Sequence, residues 1–169
     1  MLKIINNMRP FFEDCYSRIG VREYARLMLI TPPTASSLLK TYEKEGLLLK
    51  EKDRNYILFY ANNDSNAFII LSRLYWQHVL SELTSYIEAN TINPTVILFG
   101  SLSKGEAKQD SDIDIAIFAS KKTLDFAVFE KKLKRKIQIF WHISINEIGS
   151  KELANSIING HILAGRIVV

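Results

Sequence analysis

"VILFGSLSKGEAKQDSDIDIAIF", residues 96–118, joins two strand-like segments through a turn that contains glycine. The apolar run at its start ends at Gly100-Ser101, and after ten intervening residues Asp112 and Asp114 alternate with isoleucines. Because side chains alternate between the faces of a strand, both aspartates project to one face and the isoleucines to the other. Paired carboxylates resist burial unless water or cations surround them. The stretch therefore predicts a functional site on a buried strand.

The residue types around the turn favour a phosphate ligand and a metal ion. Mg²⁺ takes oxygen ligands and is commonly shared between carboxylates and substrate phosphates. Gly100 lets the backbone approach a ligand closely, and Ser101 offers a hydroxyl and an N–H at a helix start. Lys104 has two interpretations, a cation that neutralises phosphate and an ordinary solvated lysine. Together these features predict a site for a nucleotide and its metal.

The motif Phe99-Gly100-Ser101, ten residues, then Asp112-Ile113-Asp114-Ile115 resembles the signature of the polymerase-beta-like nucleotidyltransferase superfamily. It is most similar to the minimal nucleotidyltransferases of archaea and bacteria. The resemblance implies that Gly100 and Ser101 bind the phosphates of an NTP, with ATP the first candidate. It further implies that Asp112 and Asp114 are catalytic and ligate two Mg²⁺ ions. The alternative is an exposed edge strand with two solvated aspartates.

The same resemblance implies a reaction and a partner. A nucleoside monophosphate would pass from the NTP to a hydroxyl of a protein or a small molecule, with release of pyrophosphate. Minimal relatives often pair with a helical protein in an antitoxin-like arrangement, so such a partner is expected here as well.

One position departs from the superfamily pattern. A third carboxylate is normal on a later strand, and "KRKIQIFWHIS", residues 134–144, places Gln138 there. An amide brings no negative charge to a metal and cannot serve as a base. Glu130 and Glu147 flank the strand and are alternative candidates. The cationic run "KKLKRK", residues 131–136, is either a solvated helix end or a surface for an acidic acceptor or nucleic acid.

The first third of the chain predicts a small helical unit followed by a hairpin. Apolar spacing predicts helices over 9–19 and 21–30. Thr31 is expected to cap a third helix over 32–45, which Gly46 ends, and a turn at 53–55 joins two strands. The inward stripe of that third helix comprises Ala35, Leu38, Leu39 and Tyr42. The stretch "VREYARLMLITPPTASSLLKTYEKEGLL", residues 21–48, resembles the winged helix-turn-helix domains of prokaryotic transcription regulators.

That second resemblance implies binding to duplex DNA, with the third helix in the major groove. Residues 1–62 hold ten Lys/Arg against seven Asp/Glu, a mild basic excess that permits a polyanionic partner. A protein-protein module with a solvated helix face is the alternative. The expected DNA-contacting residues are Thr34, Ser36, Ser37, Lys40, Thr41, Lys44 and, on the wing with Lys50 and Lys52, Arg54.

The remaining segments complete an α+β prediction. A polar break at 62–66 separates a winged helix-turn-helix domain (1–63) from a small α/β nucleotidyltransferase-like domain with a mixed sheet (64–169), in which 64–90 is a connecting and packing helix. The expected elements of that domain are a helix over 67–88, strands at 95–99, 112–118 and 136–143, helices at 100–108, 124–135 and 147–159, and an apolar tail from 161.

The composition of the chain indicates where the protein is located in the cell and how it could assemble with other molecules. The chain lacks an apolar run of the roughly 18 residues that a membrane span needs and carries no export signal at its start. Its single cysteine, Cys15, fits a reducing compartment, so a cytoplasmic protein without a membrane partner is expected. The apolar stripe of 67–88 is wide enough to contact both domains or a second copy in a homodimer. Three functions stay open: an enzyme, a DNA-binding regulator whose catalysis is lost, and a scaffold.

Overall fold

A computed structural model describes residues 2–167. The chain divides into two compact units, one holding the residues up to Tyr75 together with Gly105–Gln109, the other holding Trp76–Lys104 and the residues from Asp110 onward. The α+β class and the mixed sheet are confirmed. The domain bounds 1–63 and 64–169 stay predictions, since this division passes through a helix at Tyr75.

The first unit begins with α1 (Lys3–Glu13), β1 (Ile19–Gly20) and α2 (Val21–Met28). The bounds of the predicted helix over 9–19 are wrong: its residues 9–13 belong to α1, which begins six residues earlier, and the backbone is extended at Asp14. The buried side chains of α1 are Ile5, Met8, Phe11 and Phe12. The predicted helix over 21–30 stops early at Leu29, whose backbone is left-handed with φ 55°.

Helix α3 (Pro32–Lys44) is confirmed together with its start signal. The Thr31 side chain accepts a hydrogen bond from Thr34 N, and two prolines occupy the first positions, where a missing N–H costs little. Ala35, Leu39 and Tyr42 are buried as predicted, whereas Leu38 is only partly buried.

A hairpin follows, made of β2 (Leu48–Asp53) and β3 (Tyr56–Ala61). The two strands pair antiparallel from Leu48↔Ala61 to Asp53↔Tyr56, and β1 pairs with the other edge of β3. Arg54 occupies the turn with φ 53°. The elements thus follow the predicted order, and the winged helix-turn-helix assignment itself stays a prediction.

Two helices, α4 (Asn66–Val79) and α5 (Ser81–Asn90), replace the single helix predicted over 67–88. The break is at Leu80, where φ is −90° and ψ is 3°. Leu80 is fully buried, and the Thr84 hydroxyl donates to its carbonyl oxygen at 2.9 Å. The break thus falls at a point that no nearby glycine or proline marks in the sequence.

The second unit is built on a four-stranded sheet in the order β6-β5-β4-β7. Its strands are β4 (Thr95–Phe99), β5 (Ile113–Phe118), β6 (Ile137–His142) and β7 (His161–Ala164), and its further helices are α6 (Gly100–Lys104), α7 (Ala127–Leu133) and α8 (Lys151–Ile158). β4 runs antiparallel to β5 and β7, and β5 runs parallel to β6. Within the predicted apolar tail, His161–Ala164 form strand β7 at one edge of the sheet, and residues 168–169 of that tail lie outside the described residues.

One face of this sheet carries both a core and a polar end. Ile97, Phe99 and Ala116 pack against Ile148 and Ile157, the latter from α8. Further along the same face, Phe99 pairs with Asp114, and Asp114 pairs with Gln138. The helices among residues 2–167 include none long and apolar enough to cross a membrane.

Candidate functional site

The two aspartates lie where β5 begins. Asp112 directly precedes the strand and Asp114 is its second residue, while the isoleucines on either side of Asp114 are fully buried. Both carboxylates therefore share the face that carries Phe99 and Gln138. The alternation read from the sequence is confirmed, and the pair faces a site at the end of the sheet.

Gly100 brings its backbone directly against one of these carboxylates. Its φ of 69° is left-handed, and a Cβ placed there would lie 3.1 Å from Cγ of Asp114 and closer still to a carboxylate oxygen. Any other residue would clash with Asp114 as well as strain the turn. The Ser103 hydroxyl donates to the Gly100 carbonyl oxygen at 3.0 Å and fixes the turn from within α6. Ser101 follows, partly exposed, and Lys104 is exposed at the end of α6.

The electrostatics of the pair favour a bound cation. Burial raises the pKa of Asp114, and the neighbouring Asp112 carboxylate raises it further. Among residues 2–167, no lysine or arginine forms an ion pair with either aspartate. Two close carboxylates, one of them half-buried, are a donor set that suits a hard divalent cation such as Mg²⁺. The residues present therefore fit one such ion.

Gln138 occupies the position beside this pair. Its Nε2 donates a hydrogen bond to Oδ2 of Asp112 at 2.6 Å, and its backbone is in register with Asp114. The described part of the chain contains no group of three or more His, Cys, Asp or Glu side chains that could hold a metal. The amide thus lies beside the two aspartates without adding a third carboxylate.

The two glutamates considered as substitutes are engaged with the backbone of β6. Glu130 accepts from Ile137 N at 2.9 Å, and Glu147 accepts from Ile143 N at 3.1 Å. Each carboxylate accepts a hydrogen bond from a backbone N–H near one end of β6, which is an edge strand. These N–H groups are therefore not available for pairing with a strand of another chain. Neither glutamate therefore replaces Gln138 beside the aspartates.

Arg135 is a residue of this site that the sequence interpretation missed. Its Nη1 donates to the carbonyl oxygen of Ser111 at 2.7 Å, and its guanidinium lies 5.2 Å from the ring centre of Trp76. Arg135 therefore fixes the residue that precedes Asp112. The only signal in the sequence was its place in the cationic run 131–136, which does not distinguish it from the neighbouring lysines.

The predicted DNA-contacting residues of the first unit are all exposed or partly exposed. Thr34, Ser37, Lys40, Thr41 and Lys44 are exposed on α3, and Ser36 is partly exposed. Arg54 is exposed at the hairpin turn. Two interactions occupy polar groups on these elements. The Thr41 hydroxyl donates to Ser37 O at 2.9 Å. Lys50 on β2 forms an ion pair with Glu43 on α3 at 3.2 Å.

A cavity of about 780 Å³ lies at the other end of the second unit's sheet. Thr95 and Phe118, which pair with each other there, both line it, as do Ile143 and Arg166. Asp112 and Asp114 lie at the opposite end of β5, so the cavity is separate from the site described above.

The comparisons agree with the geometry of the second unit. A family model described as "Polymerase beta, Nucleotidyltransferase" matches residues 81–166, just over half of the chain. This match contains the turn at Gly100, both aspartates and Gln138. Comparisons with curated proteins and with solved structures gave no match. On the strength of this match, the chain belongs to the polymerase beta nucleotidyltransferase family.

Proposed function

We propose that the protein is a Mg²⁺-dependent nucleotidyltransferase that moves a nucleoside monophosphate from an NTP, ATP first among the candidates, to a hydroxyl of an acceptor. The observation that supports this most directly is the contact between Gly100 and Asp114. A turn that presents backbone groups to phosphates lies against the carboxylates that would hold the metal. The acceptor expected from the sequence is a protein or a small molecule.

The proposed division of labour follows the order of the strands. Gly100 and Ser101, after β4, would bind the triphosphate, with Lys104 as a further cation near it. Asp112 and Asp114 on β5 would hold the Mg²⁺. The bound ion would neutralise charge on the phosphates and make the α-phosphorus more electrophilic. The resemblance implies two ions, and Gln138 leaves the second of them one carboxylate short.

The transfer itself is an in-line displacement. A bond forms between the acceptor oxygen and the α-phosphorus while the bond from that phosphorus to the bridging oxygen of the β-phosphate breaks. Pyrophosphate leaves with the electron pair, and the hydroxyl proton passes to water because Gln138 cannot accept it. Arg135, through Ser111, would keep Asp112 oriented toward the metal.

A second candidate is a DNA-binding transcription regulator whose nucleotidyltransferase domain has lost catalysis. The hydrogen bond from Gln138 to Asp112 favours it, because an amide donor occupies an oxygen that a metal would use. The exposed cations on α3 favour it as well. In this case the nucleotide would act as a sensed ligand, and a homodimer on duplex DNA would be the functional form.

One pair of assays separates the two candidates. Pyrophosphate release is measured with each of the four NTPs and Mg²⁺, with glycerol as a simple hydroxyl acceptor for the nucleoside monophosphate and Asp112→Asn/Asp114→Asn as the blank. Turnover above that blank supports the enzyme, and nucleotide binding without turnover supports the regulator. Absence of both contradicts the two candidates together.

Duplex binding is tested separately by electrophoretic retardation at low salt. Lys40→Ala with Lys44→Ala should weaken retardation and reduce its salt dependence, by a slope of about 0.9 for each phosphate that the variant no longer neutralises. The control is Lys121→Ala with Lys122→Ala, two exposed lysines of the second unit. If wild-type protein retards no duplex, the DNA-binding proposal is wrong. A helical protein partner stays a prediction of the resemblance.

A further inference from the structure

The site has two unlike sides, because β5 lies between β4 and β6. On the β4 side, Gly100 lies against Asp114. On the β6 side, Gln138 lies against Asp112. The carboxylate pair thus separates a glycine turn from an edge strand, and the two flanks cannot have the same role.

In-line transfer assigns a role to each flank. The attacking oxygen and the leaving oxygen lie on opposite sides of the transferred phosphorus. If the triphosphate lies on the turn at Gly100, as the proposed function requires, the pyrophosphate leaves on the β4 side. The acceptor hydroxyl then enters from the β6 side, past Gln138.

One exposed lysine, Lys136, lies at that entrance by strand register, and a second exposed lysine, Lys134, precedes it by two residues. Lys134 ends α7 in a left-handed conformation with φ 55°, which turns the chain into β6. The carbonyl oxygen of Lys136 accepts from Ile113 N at 2.8 Å, so the pairing with β5 extends to this residue. Because Lys136 is two residues before Gln138, its side chain belongs to the same face as the aspartates.

Lys134 and Lys136 are both exposed and are not held in ion pairs within the part of the chain that the structure describes, although the Glu130 carboxylate lies at the Ile137 N–H beside Lys136. Lys132, by contrast, forms an ion pair with Glu82 at 2.5 Å, so its ammonium group is less available to bind a phosphate. Lysine is depleted from the centres of protein-protein interfaces but is a frequent ligand of phosphate groups.

We propose that the β6 edge is the acceptor side of the site and that Lys134 and Lys136 bind phosphate groups of the acceptor there. This inference rests on the proposed nucleotidyl transfer and narrows its acceptor to a phosphate-bearing molecule. A nucleic acid strand and a small phosphorylated molecule share this chemistry, so the test distinguishes them. Lys136 is then a specificity-determining residue adjacent to Asp112.

The test measures acceptor and nucleotide binding separately on the full chain. A short fluorescein-labelled single-stranded RNA is the acceptor probe, followed by anisotropy, and Mg²⁺-ATP binding is followed by calorimetry. All proteins carry Lys40→Ala and Lys44→Ala, which removes the proposed DNA surface of the first unit. Lys134→Ala with Lys136→Ala is compared with Lys121→Ala with Lys122→Ala, a pair of equal charge change after the far end of β5.

We expect the Lys134/Lys136 variant to bind the probe roughly tenfold more weakly at low salt, with a salt slope reduced by about 1.4 because two phosphates are no longer neutralised. The control pair and Mg²⁺-ATP binding should be unchanged. Displacement of the probe by unlabelled RNA alone identifies a strand as the acceptor, and displacement by ribose 5-phosphate identifies a small phosphate. Either result supports the phosphate class.

Three results overturn the proposal: equal weakening in both variants, no weakening in either, or displacement by polyglutamate as strong as by RNA. If the wild-type chain binds RNA but does not bind Mg²⁺-ATP, the result contradicts the proposed function. Lys134 and Lys136 would then belong to an RNA-binding surface that is unrelated to nucleotidyl transfer.

Discussion

Gly100→Ala tests the geometry of the site with a control that the chain itself provides. Gly100 and Gly46 have nearly the same backbone conformation, with φ of 69° and 71°. A Cβ at Gly100 would lie 3.1 Å from Cγ of Asp114, whereas a Cβ at Gly46 has no atom within 4 Å. The two alanine variants therefore share the strain of the backbone and differ in the contact with the carboxylate.

The expected losses of stability and of affinity follow from this difference in the contact with Asp114. Alanine in the left-handed region costs about 1–2 kcal/mol, so both variants should lose roughly that much free energy of unfolding in urea titrations. Only Gly100→Ala must also push Asp114 away from the turn or move the turn itself. Because about 1.4 kcal/mol corresponds to a factor of ten, loss of this alignment should weaken Mg²⁺-ATP binding at least tenfold.

The assay is calorimetric titration of each variant with Mg²⁺-ATP, alongside its unfolding curve. Gly46→Ala should retain wild-type affinity despite its loss of stability. If Gly100→Ala binds Mg²⁺-ATP as wild type does, the phosphates do not lie on this turn and the reasoning fails. If both variants lose binding equally, the effect is one of stability and the geometric interpretation fails as well.

Two further changes probe the carboxylate side of the site. Gln138→Asp should raise Mn²⁺ affinity about tenfold or more, since it adds a charge beside two carboxylates, while Gln138→Asn should not; equal affinities would place residue 138 outside the metal site. In the metal-free protein, the raised pKa of Asp114 means that the folded state holds this proton more tightly than the unfolded state. Stability to urea should therefore decline as pH rises from the ordinary pKa of 3.8 through the raised value, and Asp114→Asn should remove this part of the decline. An unchanged pH profile in Asp114→Asn would contradict the assignment.

The parts of the fold that the sequence predicted well are those with local signals. Thr31 and the two prolines after it mark the start of α3 by capping chemistry alone, and the structure has the cap. The alternation around Asp114 defines which face of β5 is polar, since a strand has a fixed period of two. Neither inference required knowledge of the rest of the chain.

The parts that failed depend on contacts between distant segments. Strand β7 exists because Ile162 and Ala164 pair with β4, nearly 70 residues away, and nothing in "HILA" alone requires a strand. The break at Leu80 falls inside a run with apolar residues at helical spacing, and no glycine or proline marks it. Both ends of the first helix were misplaced because apolar spacing alone predicted it over 9–19, whereas α1 covers Lys3–Glu13 and contains Pro10.

The residues of the site also divide into those that local sequence signals identified and those whose roles depend on contacts between distant segments. Gly100, Asp112 and Asp114 were identified from spacing, and the structure brings Gly100 and Asp114 into contact. Gln138 was located through the resemblance to the superfamily pattern, but its hydrogen bond to Asp112 depends on the parallel register of β5 and β6. The backbone roles of Glu130 and Glu147, and the contact from Arg135 to Ser111, required coordinates because each is a choice among several equally charged neighbours.

Asp112 and Asp114 are central to the proposed function, in which they form the metal end of a nucleotide site. Calorimetric titration of the protein with ATP, in the presence and absence of Mg²⁺, tests this role most directly when wild type is compared with Asp112→Asn/Asp114→Asn. We expect wild type to bind ATP only with Mg²⁺, and the double variant to lose that binding while its far-ultraviolet circular dichroism is retained and its unfolding remains cooperative. Mg²⁺-dependent ATP binding that is unchanged in the double variant would contradict this role.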